Sequence, residues 1–187
     1  MPVVEAHLIE GNESEAKSRL AIALTGAVRQ VLPAALDGIT VMIHELKADA
    51  YMRGGQHKTP AAALPDPVQM VKDFLSAMEA RDLDQARTFL APDFVMYFPA
   101  QAPMHRLEEL VEWSKPRYRF VRKTYEAFDV TSGATGPTVY VFGTLHGEWL
   151  DGTIFSGIRF VDRFETAGGL FTRQDVWNDM AETKASA

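Results

Sequence analysis

The sequence predicts an α+β protein of two modules, and three observations carry that expectation. A proline-bearing stretch, Thr59-Pro60-Ala61-Ala62-Ala63-Leu64-Pro65-Asp66-Pro67, interrupts the chain. Strand, helix and strand patterns precede it, while helices and then long alternating strands follow it. Proline removes a backbone donor and biases its predecessor toward extended conformations, so such a stretch forms a stiff, exposed spacer where domain boundaries fall. A long loop inside one domain is the second reading; complete and different patterns on each side favour the boundary. The expected division is a module over 1–59, a spacer over 60–66, a second domain over 67–182 and a frayed tail over 183–187.

Each element follows from local chemistry. Val3 to Ile9 alternates as a strand, and Asn12-Glu13-Ser14-Glu15 supplies cap formers and first-turn acids for a helix. Leu20, Leu24, Ala27, Val28 and Val31 then make one apolar stripe that Pro33 stops. Ile39 to Glu45 is a second strand, and strand, crossover and strand make a right-handed parallel unit. Gly54-Gly55 suits a tight hairpin. A unit this short buries little core by itself and needs partners. Beyond the spacer, Val68, Val71, Phe74, Leu75 and Met78 mark a helix, and Asp82-Leu83-Asp84 opens another running through Ala86, Phe89 and Leu90. Asp93 to Phe98 is a strand, and Leu107, Leu110 and Trp113 mark a third helix. Thr138 to Trp149 and Thr153 to Phe164 flank the turn Asp151-Gly152, and Leu170 to Trp177 follows Ala167-Gly168-Gly169.

Composition excludes several functions. With 47% hydrophobic and 24% charged residues the chain has material for packed cores. A formal net charge of −6 argues against nucleic acid as the main partner. The absence of cysteine removes disulfides, thiolate metal sites and cysteine nucleophiles. The start Met1-Pro2-Val3-Val4-Glu5-Ala6-His7 has no basic or long apolar character, and no stretch has the apolar length of a membrane span. A soluble cytoplasmic protein without membrane partner is expected. The five histidines are scattered and no phosphate-binding glycine loop occurs, so neither metal nor nucleotide cofactor is expected.

Residues 1 to about 58 resemble the 4-oxalocrotonate tautomerase family. The residues carrying this are Pro2 opening the first strand, Glu10-Gly11 at its end, the amphipathic helix, His44-Glu45 closing the second strand, Tyr51, and Gly54-Gly55. The resemblance implies keto–enol tautomerisation by Pro2 as a general base and acid once Met1 is trimmed. A terminal amine is normally protonated near neutrality, but an apolar pocket disfavours the charged form and lowers its pKa toward a useful value. An edge-strand start is the bland reading of Pro2. The family carries arginines that grip substrate carboxylates where this chain has Asn12 and Thr40, and an amide or hydroxyl does not replace a bidentate cation. Tyr51 stands at the family's apolar aromatic and offers a hydroxyl to an enolate oxygen. Arg53 is either a solvated turn residue or the missing cation; His7 and His44 read as packing or hydrogen-bonded residues.

Residues 67 to about 182 resemble the SnoaL-like branch of the nuclear transport factor 2-like superfamily. The stretches that carry this are Phe74-Leu75-Ser76-Ala77-Met78 with Arg81-Asp82-Leu83-Asp84, then Phe89-Leu90-Ala91-Pro92-Asp93-Phe94. They continue in Arg159-Phe160-Val161-Asp162-Arg163-Phe164 and Gln174-Asp175-Val176-Trp177-Asn178-Asp179. The resemblance implies a cone-shaped α+β barrel, a curved sheet around a helix with an apolar cavity. That scaffold hosts enzymes, binders and association modules. Phe160, Asp162 and Phe164 share one strand face, as do Asp175 and Trp177. An inward carboxylate among aromatics has a raised pKa. Phe74 and Phe98 stand where the related ketosteroid isomerases keep a tyrosine and a base, so that pattern is not intact. Asp162, Asp175, His146, Arg159 and Trp177 are the cavity candidates, each with a surface or salt-bridged alternative. The basic, aromatic run Lys115 to Lys123 has the pattern of a nucleic-acid-binding strand, but given the acidic total a solvated sheet edge or an interface is the favoured reading.

Three functions remain open. The first is an isomerase acting through Pro2 and Tyr51 on a small enolisable carbonyl compound, with Arg53, Asn12 and Thr40 at the substrate and a fused small-molecule-binding domain. The second is cyclase or dehydratase chemistry centred on Asp162 or Asp175, and the third a non-catalytic pocket protein. The resemblances imply assembly, through sheets in the first module and a sheet face in the second, giving homo-oligomers from dimer to hexamer.

Overall fold

The computed structural model describes residues 1–185, and the chain divides into two compact units between Ala63 and Leu64. The first unit contains β1 (Val3–Ile9), α1 (Ser14–Val31) and β2 (Thr40–Leu46), with β1 and β2 parallel from Val3↔Thr40 to Ile9↔Leu46. The start of α1 differs from the expected cap. Glu13 occupies the capping position without a side-chain bond, because Asn12 turns back and donates to the Ile9 carbonyl at 3.2 Å. Pro33 ends the helix, whose last cap is Leu32. A hairpin of β3 (Met52–Arg53) and β4 (Gln56–His57) turns on Gly54 and Gly55, whose φ values of 61° and 75° match a turn that needs two left-handed residues.

No residue from 1 to 63, all of them described, is buried. Val3, Ile22, Val31, Leu36 and Met52 are exposed apolar side chains, and β1 and β2 form a two-stranded sheet.

The second unit has its own core. Its elements are α2 (Pro67–Ala80), α3 (Leu83–Arg87), β5 (Leu90–Tyr97), α4 (Leu107–Ser114), β6 (Tyr118–Ser132), β7 (Pro137–Trp149), β8 (Ile154–Ala167), β9 (Leu170–Asn178) and α5 (Met180–Ala185). The sheet runs β5-β9-β8-β7-β6; β5 lies parallel to β9 and the other pairs are antiparallel. Asp66 caps α2 by accepting from Val68 N at 2.8 Å, and Pro67 occupies the first helical position, where no donor is missed. Phe74 of α2 meets Phe164 and Phe171 at ring separations of 5.8 and 5.5 Å, which fastens the helix to β8 and β9.

Several boundaries depart from the sequence reading, β5 starting at Leu90 and β8 running on to Ala167 among them. The helix expected through Phe89 and Leu90 stops at Arg87, because the Phe89 carbonyl accepts from Phe171 N at 2.8 Å and the chain enters β5. The expected frayed tail begins as helix. Asn178 accepts from Met180 N at 3.2 Å and the Thr183 amide bonds to the Asp179 carbonyl at 3.1 Å, so Thr183 to Ala185 belong to α5; Ser186 and Ala187 lie outside the described residues.

The edge strand β6 bends through register shifts at Tyr118/Phe120 and Tyr125/Ala127. Glycines on β7 permit this close approach: a Cβ at Gly143 would overlap the Thr124 carbonyl oxygen, and one at Gly147 that of Phe120. All three tryptophans lie in the second unit, so their fluorescence reports its unfolding. Phe171→Ala removes a fully buried ring; urea unfolding followed by tryptophan emission is expected to show a loss of about 3–5 kcal/mol.

Candidate functional site

The parallel register of the first unit sorts its candidate residues into two groups. Pro2 precedes β1, and its carbonyl accepts from Thr40 N at 3.1 Å, so Pro2 and Thr40 share the amino-terminal end of the sheet. Asn12, Tyr51 and Arg53 gather beyond the carboxy-terminal end, in a cleft of about 410 Å³ also lined by His7, Ile9, Lys58 and Pro60. Arg53 donates to the Tyr51 hydroxyl at 3.4 Å. The seven residues of β1 separate the groups by roughly 20 Å at about 3.3 Å per residue. One copy of the unit therefore does not bring Pro2 to Tyr51. His7 and His44 stack with ring centroids 4.9 Å apart, in keeping with packing. The cleft lining holds two cations, Arg53 and Lys58, and no carboxylate. Lys58 was not singled out in the sequence because it adjoins the spacer and belongs to no periodic element.

In the second unit a cavity of about 270 Å³ opens between α2, α4 and the inner face of β6. Phe74, Leu75, Met78, Phe98, Leu110 and Val121 give it an apolar wall; Lys123, Tyr125 and Gln174 supply polar groups. Behind that wall Asp162 has 0% exposed surface, and its Oδ2 accepts from Lys123 Nζ. The ammonium also lies 4.4 Å from the centroid of the Phe160 ring. Burial pushes the Asp162 carboxyl up from its ordinary value, against the opposing charge and hydrogen bond of Lys123. Tyr125 is pushed up to about 12 by burial and by the carboxylates of Asp162 and Glu79, so it stays a donor at neutral pH. Burial raises Tyr118 as well, against the pull of Arg81. Asp162 Oδ1 and Gln174 Oε1 are buried without hydrogen-bond partners.

Strand alternation places the other candidates elsewhere. Asp162 pairs across with Val176, so Asp175 and Trp177 point to the opposite sheet face. There Asp175 bonds Arg163 at 2.8 Å and Arg173 at 2.8 Å, and Arg163 also pairs with Glu165. Two guanidiniums thus hold the Asp175 carboxylate in place as a structural anchor of that face. Arg159 pairs with Asp179 at 2.7 Å on the same outer face, Trp177 is 53% exposed, and His146 is exposed. Of the five cavity candidates, only Asp162 stands on the cavity side.

The basic run resolves into individual partners. Lys115 pairs with Glu112, Arg117 covers the Trp113 ring, Arg119 pairs with Glu148, Arg122 with Glu79, and Lys123 turns inward to Asp162. Lys123, Tyr125 and Gln174 escaped the sequence reading. The alternation Val121, Lys123, Tyr125 was the available signal, masked by the basic neighbours.

The buried pair sets a pH dependence. A carboxyl whose folded pKa lies above its ordinary 3.8 binds its proton more tightly in the folded state, so stability falls as pH rises through and above that value. Lys123→Met leaves the carboxylate uncompensated. A loss of about 3–5 kcal/mol is expected at pH 7, shrinking toward pH 4, with the double variant Lys123→Met/Asp162→Asn flattening the profile. Urea midpoints at the two pH values check this; an equal loss at both contradicts it.

Comparison with known proteins agrees with this architecture. A family model described as a SnoaL-like domain matches residues 71–174, and one described as a tautomerase enzyme matches residues 2–60. Curated proteins give no match. Among solved structures, a nuclear transport factor 2-like protein of unknown function from Burkholderia pseudomallei aligns with TM-score 0.55 and 21% identity, over 63% of this chain and 94% of that one. A similar protein from Burkholderia thailandensis aligns with TM-score 0.53 and 19% identity, over 66% and 99%. TerC, co-crystallised with polyporic acid, aligns with TM-score 0.54 and 16% identity, over 63% and 95%. At such identities the likeness is one of fold. The chain thus belongs to the SnoaL-like family through its second unit and carries a tautomerase-family module as its first.

Proposed function

We propose that the protein is a keto–enol tautomerase in which Pro2, freed of Met1, moves a proton on a small enolisable carbonyl compound. The two family matches support an enzyme of isomerase or cyclase type. The observation that carries the finer reading is that the tautomerase match begins at residue 2. The Pro2 amine takes a proton from the carbon beside the carbonyl, the negative charge moves to oxygen, and the same amine returns the proton at the other end of the enolate. A Tyr51 hydroxyl stabilises that oxygen. Pro2 and Tyr51 stand at opposite ends of one sheet, so the reading requires a Tyr51 from a second copy. The unburied apolar side chains of residues 1–63 favour such assembly. Arg53 and Lys58, in a cleft lined by no acid, replace the arginines that Asn12 and Thr40 do not supply and hold a substrate carboxylate.

A cyclase centred on Asp162 receives less support, because that carboxylate is locked to Lys123 behind the cavity wall. The second unit on this reading holds a small molecule.

Four measurements test the proposal. Intact mass is expected to show loss of Met1. Ketonisation of a 2-oxo acid enol, followed by ultraviolet absorbance, should fall at least about 100-fold in Pro2→Ala; full activity in that variant sinks the assignment. Arg53→Ala should raise KM about tenfold with a smaller effect on kcat, as expected for a group that binds substrate and transition state alike. Light scattering should give a mass above one chain at micromolar concentration, and a monomer with full activity contradicts the shared site.

A further inference from the structure

The cavity of the second unit contains a set of hydrogen-bonding groups that its own fold leaves incomplete. Gln174 is 3% exposed, lines the cavity, and its Oε1 has no donor. A buried acceptor left unmet is unfavourable, and a hydroxyl brought by a ligand relieves it. Lys123 carries three N–H donors, of which one is used on Asp162. Its ammonium is fixed by that carboxylate and by the face of Phe160, so it presents donors to the cavity in a set direction. Tyr125 adds a hydroxyl to the same lining. Arg81, the left-handed residue that ends α2, stands at the same cavity with no carboxylate within ion-pair distance among the described residues. With the other rim cations paired to Glu79 and Glu148, Arg81 leaves the lining with a surplus of positive charge.

We infer that this cavity binds a small ring compound bearing both an ionised oxygen and a hydroxyl, the first accepting from Lys123 and Tyr125 and the second donating to Gln174. The apolar wall of Phe74, Leu75, Met78, Phe98 and Leu110 covers the ring, and a volume of about 270 Å³ leaves room for one ring or a fused pair with short substituents. Asp162 is a positioning residue in this arrangement: it aims Lys123 and touches no ligand. Tyr125, held protonated well above neutrality, remains a donor to the anion. The inference rests on the reading of the second unit as a ligand-holding domain and is independent of Pro2.

The probes are 4-hydroxybenzoate and benzoate, titrated calorimetrically into the full chain carrying Arg53→Ala and Lys58→Ala, which takes both cations from the first unit's cleft. 4-Hydroxybenzoate is expected to bind about tenfold more tightly than benzoate, the effect of one hydrogen bond to a buried acceptor. Gln174→Leu should erase that preference without changing benzoate affinity. Tyr125→Phe should weaken both about tenfold. A preference that survives Gln174→Leu, or affinities indifferent to Tyr125→Phe, overturns the assignment. A naphthalene sulfonate dye separates this outcome from failure of the underlying reading. If the dye binds, and the cavity-filling Leu110→Trp abolishes its binding, while neither benzoate displaces it, the ligand class is wrong and the ligand-holding domain stands. If the dye does not bind in a way that Leu110→Trp affects, both fall.

Discussion

Asp162 carries no exposed surface, so its charge has to be answered from inside the sheet. The answering group comes from two strands away, on the edge strand β6, where Lys123 reaches across β7 to the carboxylate. Reach of that kind requires β6 to lie close over β7. The bulges at Tyr118/Phe120 and Tyr125/Ala127 and the missing side chains of Gly143 and Gly147 provide it. The bending that satisfies the ion pair also turns Tyr125 and Val121 toward α2, and the space left between them is the cavity. Pair, curvature and cavity are one arrangement. An isolated buried ion pair contributes little net stability, since desolvation offsets attraction, but breaking it is costly. Such a pair fixes orientation more than it stabilises.

The first unit is governed by the opposite circumstance. Its helix α1 has no buried residue and its sheet has two strands, so its fold is not closed by its own side chains. A β-α-β unit of this size gains too little from burial to offset the conformational entropy of ordering it. The apolar side chains of Val3, Ile22, Val31 and Leu36 stay exposed in one copy, and on the proposed assembly they are what a second copy would cover. The second unit, with Phe74 set edge-on to Phe164 and Phe171, carries a core of fully buried side chains of its own.

The strand and helix pattern was legible wherever periodicity was long. β1, α1, β7 and β9 fall where alternation or a helical stripe ran unbroken, and the turn glycines marked their joints. Boundaries failed where a single tertiary hydrogen bond decided them, as at Phe89, whose carbonyl is taken by Phe171. Among site residues, Asp162 was readable because it alternates between Phe160 and Phe164, both buried. Asp175 and Trp177 also alternate, and only the cross-strand register with Val176 decides that they face outward. Lys123 was hidden because a basic neighbourhood reads as solvated, and the carboxylate that draws it inward lies 39 positions away. Local pattern states which residues share a face; it does not state which face is the inner one.

On the proposed chemistry, assembly and catalysis in the first unit draw on the same free energy. A secondary amine at a chain terminus becomes an effective base near neutrality only after it loses water. Pro2 is half-buried in a unit that buries nothing fully, so the fold of one copy leaves its surroundings wet. The packing that covers Val3, the residue next to Pro2, on association is the packing that would exclude water from the amine and bring a second Tyr51 toward it. Desolvation of the base is then a consequence of oligomerisation and not a property of the folded chain. By mass action the active fraction follows the assembled fraction. The cavity beside Lys123 differs in that Lys123, Tyr125 and Gln174 already stand together within one copy of the second unit.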